Sequence, residues 1–263
     1  MVFELLPTLD VMLDLYEKPR TIERFQAYLA LLQGDTRGNL ALPISGFNPM
    51  AKEPVRQKLI DLNKVGAEDV IRHTLHQLNT TLSVYPGNHV IRLALNLADD
   101  IAGGWTNRFT TDYDSKFNLN ALVSRSFCTP LFWASDVYTP SMIAERTIEY
   151  AYRTIYWLTH PKPITLADHV EQEKFVARHT ARSVEKPDRA VSEAVDTFYR
   201  IHQQSDDYAL IFNFFYGDLA SESLGLPAHG MQPLTGYDYA VLMKDQPSVR
   251  PQQITRPGGF LTD

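Results

Sequence analysis

Cysteine is almost missing from this chain of 263 residues; Cys128 is the only one. No intrachain disulfide can form, and zinc sites built on two to four thiolates are excluded. Cys128 sits between aromatic residues in Ser126-Phe127-Cys128-Thr129-Pro130 with no base beside it. It reads as a small buried hydrophobe rather than a nucleophile. A reducing compartment, the cytoplasm, fits this usage. Positive charge is also short, with 25 Lys and Arg against 31 Asp and Glu and a net charge of −6. That argues against nucleic acid and against an anionic membrane surface as partners. No apolar run approaches the roughly 20 residues of a membrane span. The densest stretch, Tyr208 to Tyr216, is short and contains Asn213. Met1 to Asp10 carries Glu4 and Asp10 and lacks a basic start, so it does not read as a secretory signal. Internal repeats and low-complexity stretches are missing too.

What the chain has is core-forming material: 44% hydrophobic and 11% aromatic residues. A chain this long buries roughly 70–75% of its unfolded surface. Helical spacing dominates. Helices are expected over Thr21–Gln33, Lys52–Asn63, Ala67–Leu82 and Pro140–Thr159, then from Thr165 to His179, from Pro187 to Gln203 and from Asp206 to Leu224. Thr139-Pro140 reads as an N-cap followed by proline at the first helical position, and Thr165 with Asp168 as a capping box. Residues 225–263 hold five glycines and five prolines. The expected architecture is therefore a mainly α, single-domain, bundle-like globule over 1–224 with a mostly irregular extension over 225–263. Val90 to Asp100 is ambiguous. Its apolar residues alternate as in a strand, but His89, Arg92, Asn96 and Asp99 share one helical stripe. The helix is preferred; a short hairpin within 90–117 is the alternative.

Four polar constellations invite chemistry. Asp69, His73 and His76 share a helical face, but Ile71, Leu75, Leu78 and Leu82 lie opposite, as in any amphipathic helix. Glu145 and Glu149 lie one turn apart beside Arg146 and Arg153, which reads as a salt-bridged outer face. His169, Glu173 and His179 cannot all aim at one ion from one helix and read as surface residues.

The fourth is Asn96-Leu97-Ala98-Asp99-Asp100-Ile101-Ala102-Gly103-Gly104-Trp105-Thr106-Asn107-Arg108. Two carboxylates at a helix C-terminus, followed by two glycines, are a poor choice for stability alone. The pair resembles the aspartate-rich helix of isoprenyl-chain enzymes. That pattern continues with a third aspartate where this chain has Gly103, and Asp206-Asp207 is its only weak second motif, so the family is not assigned. Gly103-Gly104 is not a phosphate loop, because no Gly-Lys-Ser/Thr follows.

Two function classes follow. In the first, the chain is a small-molecule enzyme with Asp99 and Asp100 as catalytic residues and as ligands for a divalent cation, Mg²⁺ by its preference for hard oxygen. Arg92, Asn96, Trp105, Asn107 and Arg108 would bind substrate, the arginines holding an anionic group. In the second, the chain is a non-catalytic ligand-binding or protein-interaction module. Phe132, Trp133, Tyr150, Tyr152, Tyr156 and Trp157 would then line a cleft or a subunit interface, with an oligomer allowed. An enzyme should leave the acidic pair unpaired in an open cleft. A binding module should consume it with arginines and show an apolar groove elsewhere.

Overall fold

The computed structural model describes residues 1–34, 39–82, 89–101 and 106–247. Among them the fold is mainly α. In chain order the elements are β1 (Val2–Leu5), α1 (Leu9–Glu17), α2 (Ile22–Gln33), α3 (Glu53–Lys64), α4 (Ala67–Thr81), β2 (Val90–Leu93), β3 (Asn96–Ala98), α5 (Arg108–Phe117), α6 (Asn120–Val123), β4 (Phe127–Cys128), β5 (Leu131–Trp133), α7 (Pro140–Thr159), α8 (Leu166–His179), α9 (Arg189–His202), α10 (Tyr208–Tyr216), α11 (Asp218–Ser223) and α12 (Thr235–Leu242).

The helices expected from periodicity form near their expected bounds, and their start signals act as chemistry dictates. Thr139 caps α7 by accepting from the Met142 amide, and Thr165 with Asp168 makes the capping box of α8. The single helix expected over 206–224 is split into α10 and α11 at Gly217. There φ is +82°, and an added Cβ would meet the Gln232 backbone at 2.6 Å, so only glycine fits.

The region 90–100 corrects the helix expectation, and it forms no hairpin. β1 pairs with β2, β2 with β4, and β3 with β5, all in parallel. The expected hairpin partner, 106–117, is instead mostly helix α5. Residues 92–98 run along 126–134 as one continuous ladder. The Arg92 amide donates to Ser126 O, Ala94 to Cys128 O and Asn96 to Pro130 O, while Ala134 donates to Ala98 O, at 2.9–3.1 Å. Pro130 has no amide to give, and the assigned strands break there. Ile91, Leu93, Ala94, Leu95, Leu97 and Ala98 are all buried, as in a parallel strand covered on both faces. The helical polar stripe was a coincidence of spacing within a short central strand.

Helix α4 covers this sheet. Its Asn79 side chain both accepts from the Phe3 amide and donates to the Phe3 carbonyl at 2.9 Å, closing the free edge of β1. Its Glu68 accepts from the Thr8 and Leu9 amides at the start of α1. A first core gathers the strands with α1, α3, α4 and α7. A second joins α5, α8, α10 and α12 around Phe117, Phe212, Phe214, Phe215 and Tyr237. Helix α12 lies within the segment expected to be irregular, and it packs against α8 and α10.

Between the cores runs a buried polar seam. Arg153 of α7 meets Glu173 of α8 with two bonds, Nε to Oε1 at 2.8 Å and an Nη to Oε2 at 2.6 Å. Both residues are at most 4% exposed. They are not the solvated face expected from the sequence. Burial alone would raise the Glu173 carboxyl, but Arg153 and Gln172 hold it below the usual range. His169, also read as a surface residue, is buried against Phe117 with Nδ1 unpartnered among the described residues. Burial lowers its pKa from 6.5 to about 4.

Two predictions follow from this seam. Glu173→Gln strands a buried guanidinium charge and should cost about 3–5 kcal/mol in urea denaturation. His169 binds its proton less readily folded than unfolded. Its contribution to stability is complete above pH 6.5, falls as pH drops towards 4, and amounts to a loss of about 2 kcal/mol by pH 5. His169→Leu should flatten the stability profile between pH 6.5 and 5, above the range where carboxylates titrate. An unchanged slope would assign the acid sensitivity to other groups.

Candidate functional site

Parallel strands gather the next residues of each strand at one edge, and ligands of open parallel sheets bind there. β3 runs out into Asp99 and Asp100, and β5 into Ala134, Ser135 and Asp136. The candidate acidic pair therefore lies at the carboxyl end of a strand, and not at the C-terminus of a helix.

The two aspartates have different environments. Asp100 is fully engaged. Its carboxylate accepts from the Ser135 amide at 3.0 Å, the Ser135 hydroxyl at 2.7 Å and an Arg108 Nη at 2.7 Å. The same Arg108 reaches Asp136 at 2.9 and 3.2 Å and lies over the Trp133 ring. Arg108 thus ties the ends of β3 and β5 together. Burial would lower its pKa, but Asp136 and Asp100 raise it further.

Asp99 is the more inward of the pair, 4% exposed. Its Oδ2 accepts from Asn48 Nδ2 at 2.9 Å and its Oδ1 from the Ile101 amide at 3.2 Å. Among the described residues no cation lies within salt-bridge distance of it. Its carbonyl holds Thr106 through both amide and hydroxyl, at 3.3 and 2.8 Å. Asn96, 6% exposed, has its Oδ1 unpartnered among the described residues. It meets the same loop as Asp99: a Cβ on Gly46 would lie 3.1 Å from Asn96 Nδ2, two residues before Asn48. A side chain at position 46 would crowd Asn96, so the glycine gives the loop its close approach to β3.

The loop is pinned from the far side. Tyr16 of α1 donates to the Asn48 carbonyl at 2.8 Å. Arg24 of α2 is buried with no carboxylate partner among the described residues. Its guanidinium donates to Tyr16 O, Lys18 O and Pro49 O and lies over the Tyr16 ring. Burial and the nearby Asp99 charge raise the Tyr16 hydroxyl far above its ordinary pKa, against the pull of Arg24.

The remaining candidates do not join this group. Arg92 is exposed and stacks over Phe127 at 4.3 Å. Asn107 caps α5, accepting from the Phe109 and Thr110 amides. Trp105 lies outside the described residues, as do Gly103 and Gly104. His73 and His76 face solvent, and Asp69 pairs with Arg72. Glu145 is exposed, and Glu149 lies 3.5 Å from Arg153. Asp207 caps α10. Cys128 is buried, and burial pushes its thiol up to about 12, as a structural cysteine requires. The aromatics of the alternative reading are core: Phe132, Trp133, Tyr150, Tyr152, Tyr156 and Trp157 are all buried. Among the described residues no group of three or more His, Cys, Asp or Glu side chains converges as a metal site would require.

Asn48, Ser135, Asp136, Tyr16 and Arg24 were not singled out from the sequence. One signal was available for two of them. Leu131-Phe132-Trp133 is a short apolar run ended by Asp136, as Leu95-Asn96-Leu97-Ala98 is ended by Asp99. Two such runs read together suggest neighbouring strands that deliver acids to one edge.

No family model matches the chain, no curated protein is detectably related to it, and no solved structure matches it.

The division of labour between the aspartates is testable. Asp100→Ala removes the acceptor of a backbone amide, a hydroxyl and a guanidinium, and should cost about 2–3 kcal/mol in urea denaturation. Arg108→Ala should cost no more than about 1 kcal/mol, because Arg108 is 43% exposed and solvent replaces much of the pair. Equal costs would mean that the ion pair, and not the Ser135 bonds, carries the stability.

Proposed function

We propose that the chain binds a small molecule at the carboxyl edge of its parallel strands, through donor groups, hydroxyl or amino, on that molecule. The supporting observation is Asp99, a buried carboxylate held by one amide side chain and one backbone amide, with no cation in contact among the described residues. A buried charge of this kind is costly unless something completes its shell. Asn96, the first residue of β3 and packed against the same loop, adds a second acceptor whose oxygen has no partner among the described residues. Two acceptors short of donors select a donor-rich ligand, such as a polyol, a sugar or an amine.

The earlier expectation of an anionic substrate rested on Arg92 and Arg108. Arg92 stacks on Phe127 and Arg108 is occupied by Asp100 and Asp136, so neither is offered to an anion. Mg²⁺ shared between Asp99 and Asp100 would have to displace Ser135 and Arg108 from Asp100. Asp99 then remains, among the described residues at this strand end, as the carboxylate available to a cation. Binding, with Arg108, Asp100 and Asp136 as the frame, is the reading these contacts favour over an acid–base reaction.

Thermal melts of wild type and Asp99→Asn test it, each alone and with millimolar ribose, ribonucleosides, spermidine or MgCl₂. Asparagine keeps an acceptor for Asn48 and removes the charge. The variant should lie within about 1 kcal/mol of wild type or above it, as for a residue kept for function. A ligand that raises the wild-type melting temperature should lose that effect in the variant. A loss of about 3–5 kcal/mol with no ligand response in either protein would make Asp99 a structural charge and end this reading.

A further inference from the structure

We propose that the C-terminal segment of this chain, residues 248–263, docks into the groove between α9 and α12. The groove is independent of the strand-end site. It is a cleft of about 570 Å³ whose apolar lining comes from Pro187, Val191, Val195, Tyr239, Leu242 and Met243. Helix α9 is the reason it exists. Its apolar residues lie on one side, yet none of the helix is fully buried. Phe198 stacks on Phe214 and Tyr199 packs at a tilt against Tyr239, which anchors one edge of α9 to the body and leaves Val191 and Val195 half-covered.

The course of the chain identifies the occupant. A second cleft of about 300 Å³ adjoins the first and shares Asp196, Tyr239, Met243 and Gln246 with it; Pro247 lines its wall. Gln246 lines both clefts, and the last described residue, Pro247, follows it in the wall of the second. Sixteen residues follow, Ser248 to Asp263, and they carry Val249, Ile254, Phe260 and Leu261. Seven residues of extended chain reach up to roughly 25 Å, which brings Ile254 past the whole of α12, an eight-residue helix about 12 Å long. Asp196 and Asp238 in the groove lining already pair with Arg200 and Arg182, so the apolar residues of the segment, and not its arginines, carry the docking. A tethered segment also works at an effective concentration of about millimolar. A second copy or a foreign peptide would have to displace a chain that starts at the mouth of the groove.

Hydrogen exchange on the full-length protein reads the docking directly. In Ile254→Asp/Phe260→Asp the amides of α9 and α12 should exchange at least about tenfold faster than in wild type, the change that one or two buried apolar side chains confer. The groove variant Val195→Asp should give the same acceleration, and combining all three substitutions should add nothing further. Unchanged exchange in Ile254→Asp/Phe260→Asp overturns the proposal, and that variant alters only the segment, so misfolding of α9 cannot mimic the result. Protection that grows with protein concentration also overturns it, because the occupant would then be a second copy.

Discussion

The alignment of residues 92–98 with residues 126–134 is the constraint on which the candidate site depends. It carries the strand-end acids to one edge and sets Asp100 beside Ser135. Without that register Arg108 could not bridge Asp100 and Asp136, since the two carboxylates are 36 positions apart in the chain. The ladder survives Pro130 because proline still offers its carbonyl, which accepts the Asn96 amide. A strand buried on both faces can tolerate polar side chains only where it runs out. Asp99 occupies that place, just past Ala98; Asn96 opens β3, and Leu93, Ala94, Leu95, Leu97 and Ala98 around it are apolar and buried.

Two buried charge systems meet different ends in this fold. Arg153 and Glu173 are in direct contact, bidentate and supported by Gln172, whose own amide is fixed by Lys116 O and whose oxygen accepts from Trp157. Nothing is left over for a ligand, and the pair fixes α7 against α8. Asp99 and Arg24 are both buried and oppositely charged, but they do not touch. Arg24 spends its donors on backbone carbonyls, and Asp99 takes its bonds from neutral amides. Tyr16 and Asn48 stand between them.

The sequence made the long helices legible because their signals are local. Thr139-Pro140 and Thr165 with Asp168 act within four residues, and each forms the cap that its chemistry implies. The strands were not legible for the opposite reason. β4 and β5 are two and three residues long, and what stabilises them is pairing with residues some 35 positions earlier. Over Val90 to Asp100 two periodicities were present at once, and only the partner strands decide between them. Arg153 was misplaced because Glu149 offered a local partner at the favourable spacing, while its stronger partner, Glu173, lies on the next helix. Asp99 and Asp100 were singled out for violating a helix rule that does not apply to them. The anomaly was real, but it belonged to a strand end.

That distinction changes what the acids can recognise. At a helix C-terminus, aspartates would face carbonyl groups and would demand a cation. At a strand end, the neighbouring backbone supplies amides as well, as Ile101 and Ser135 do here. Asp100 uses these together with Arg108 and is saturated. Asp99 is turned inward, where Asn48 bonds to it and the only side-chain donor within hydrogen-bonding reach among the described residues is a neutral amide. Its remaining capacity is that of an acceptor in a low-dielectric surrounding, where a neutral hydroxyl or a bound amine gains more than it would in water. Shape complementarity there is set by the loop from Gly46 to Asn48, which Tyr16 and Arg24 hold in place from α1 and α2. The specificity of such a site lies in the rigidity of that loop as much as in the charge of Asp99.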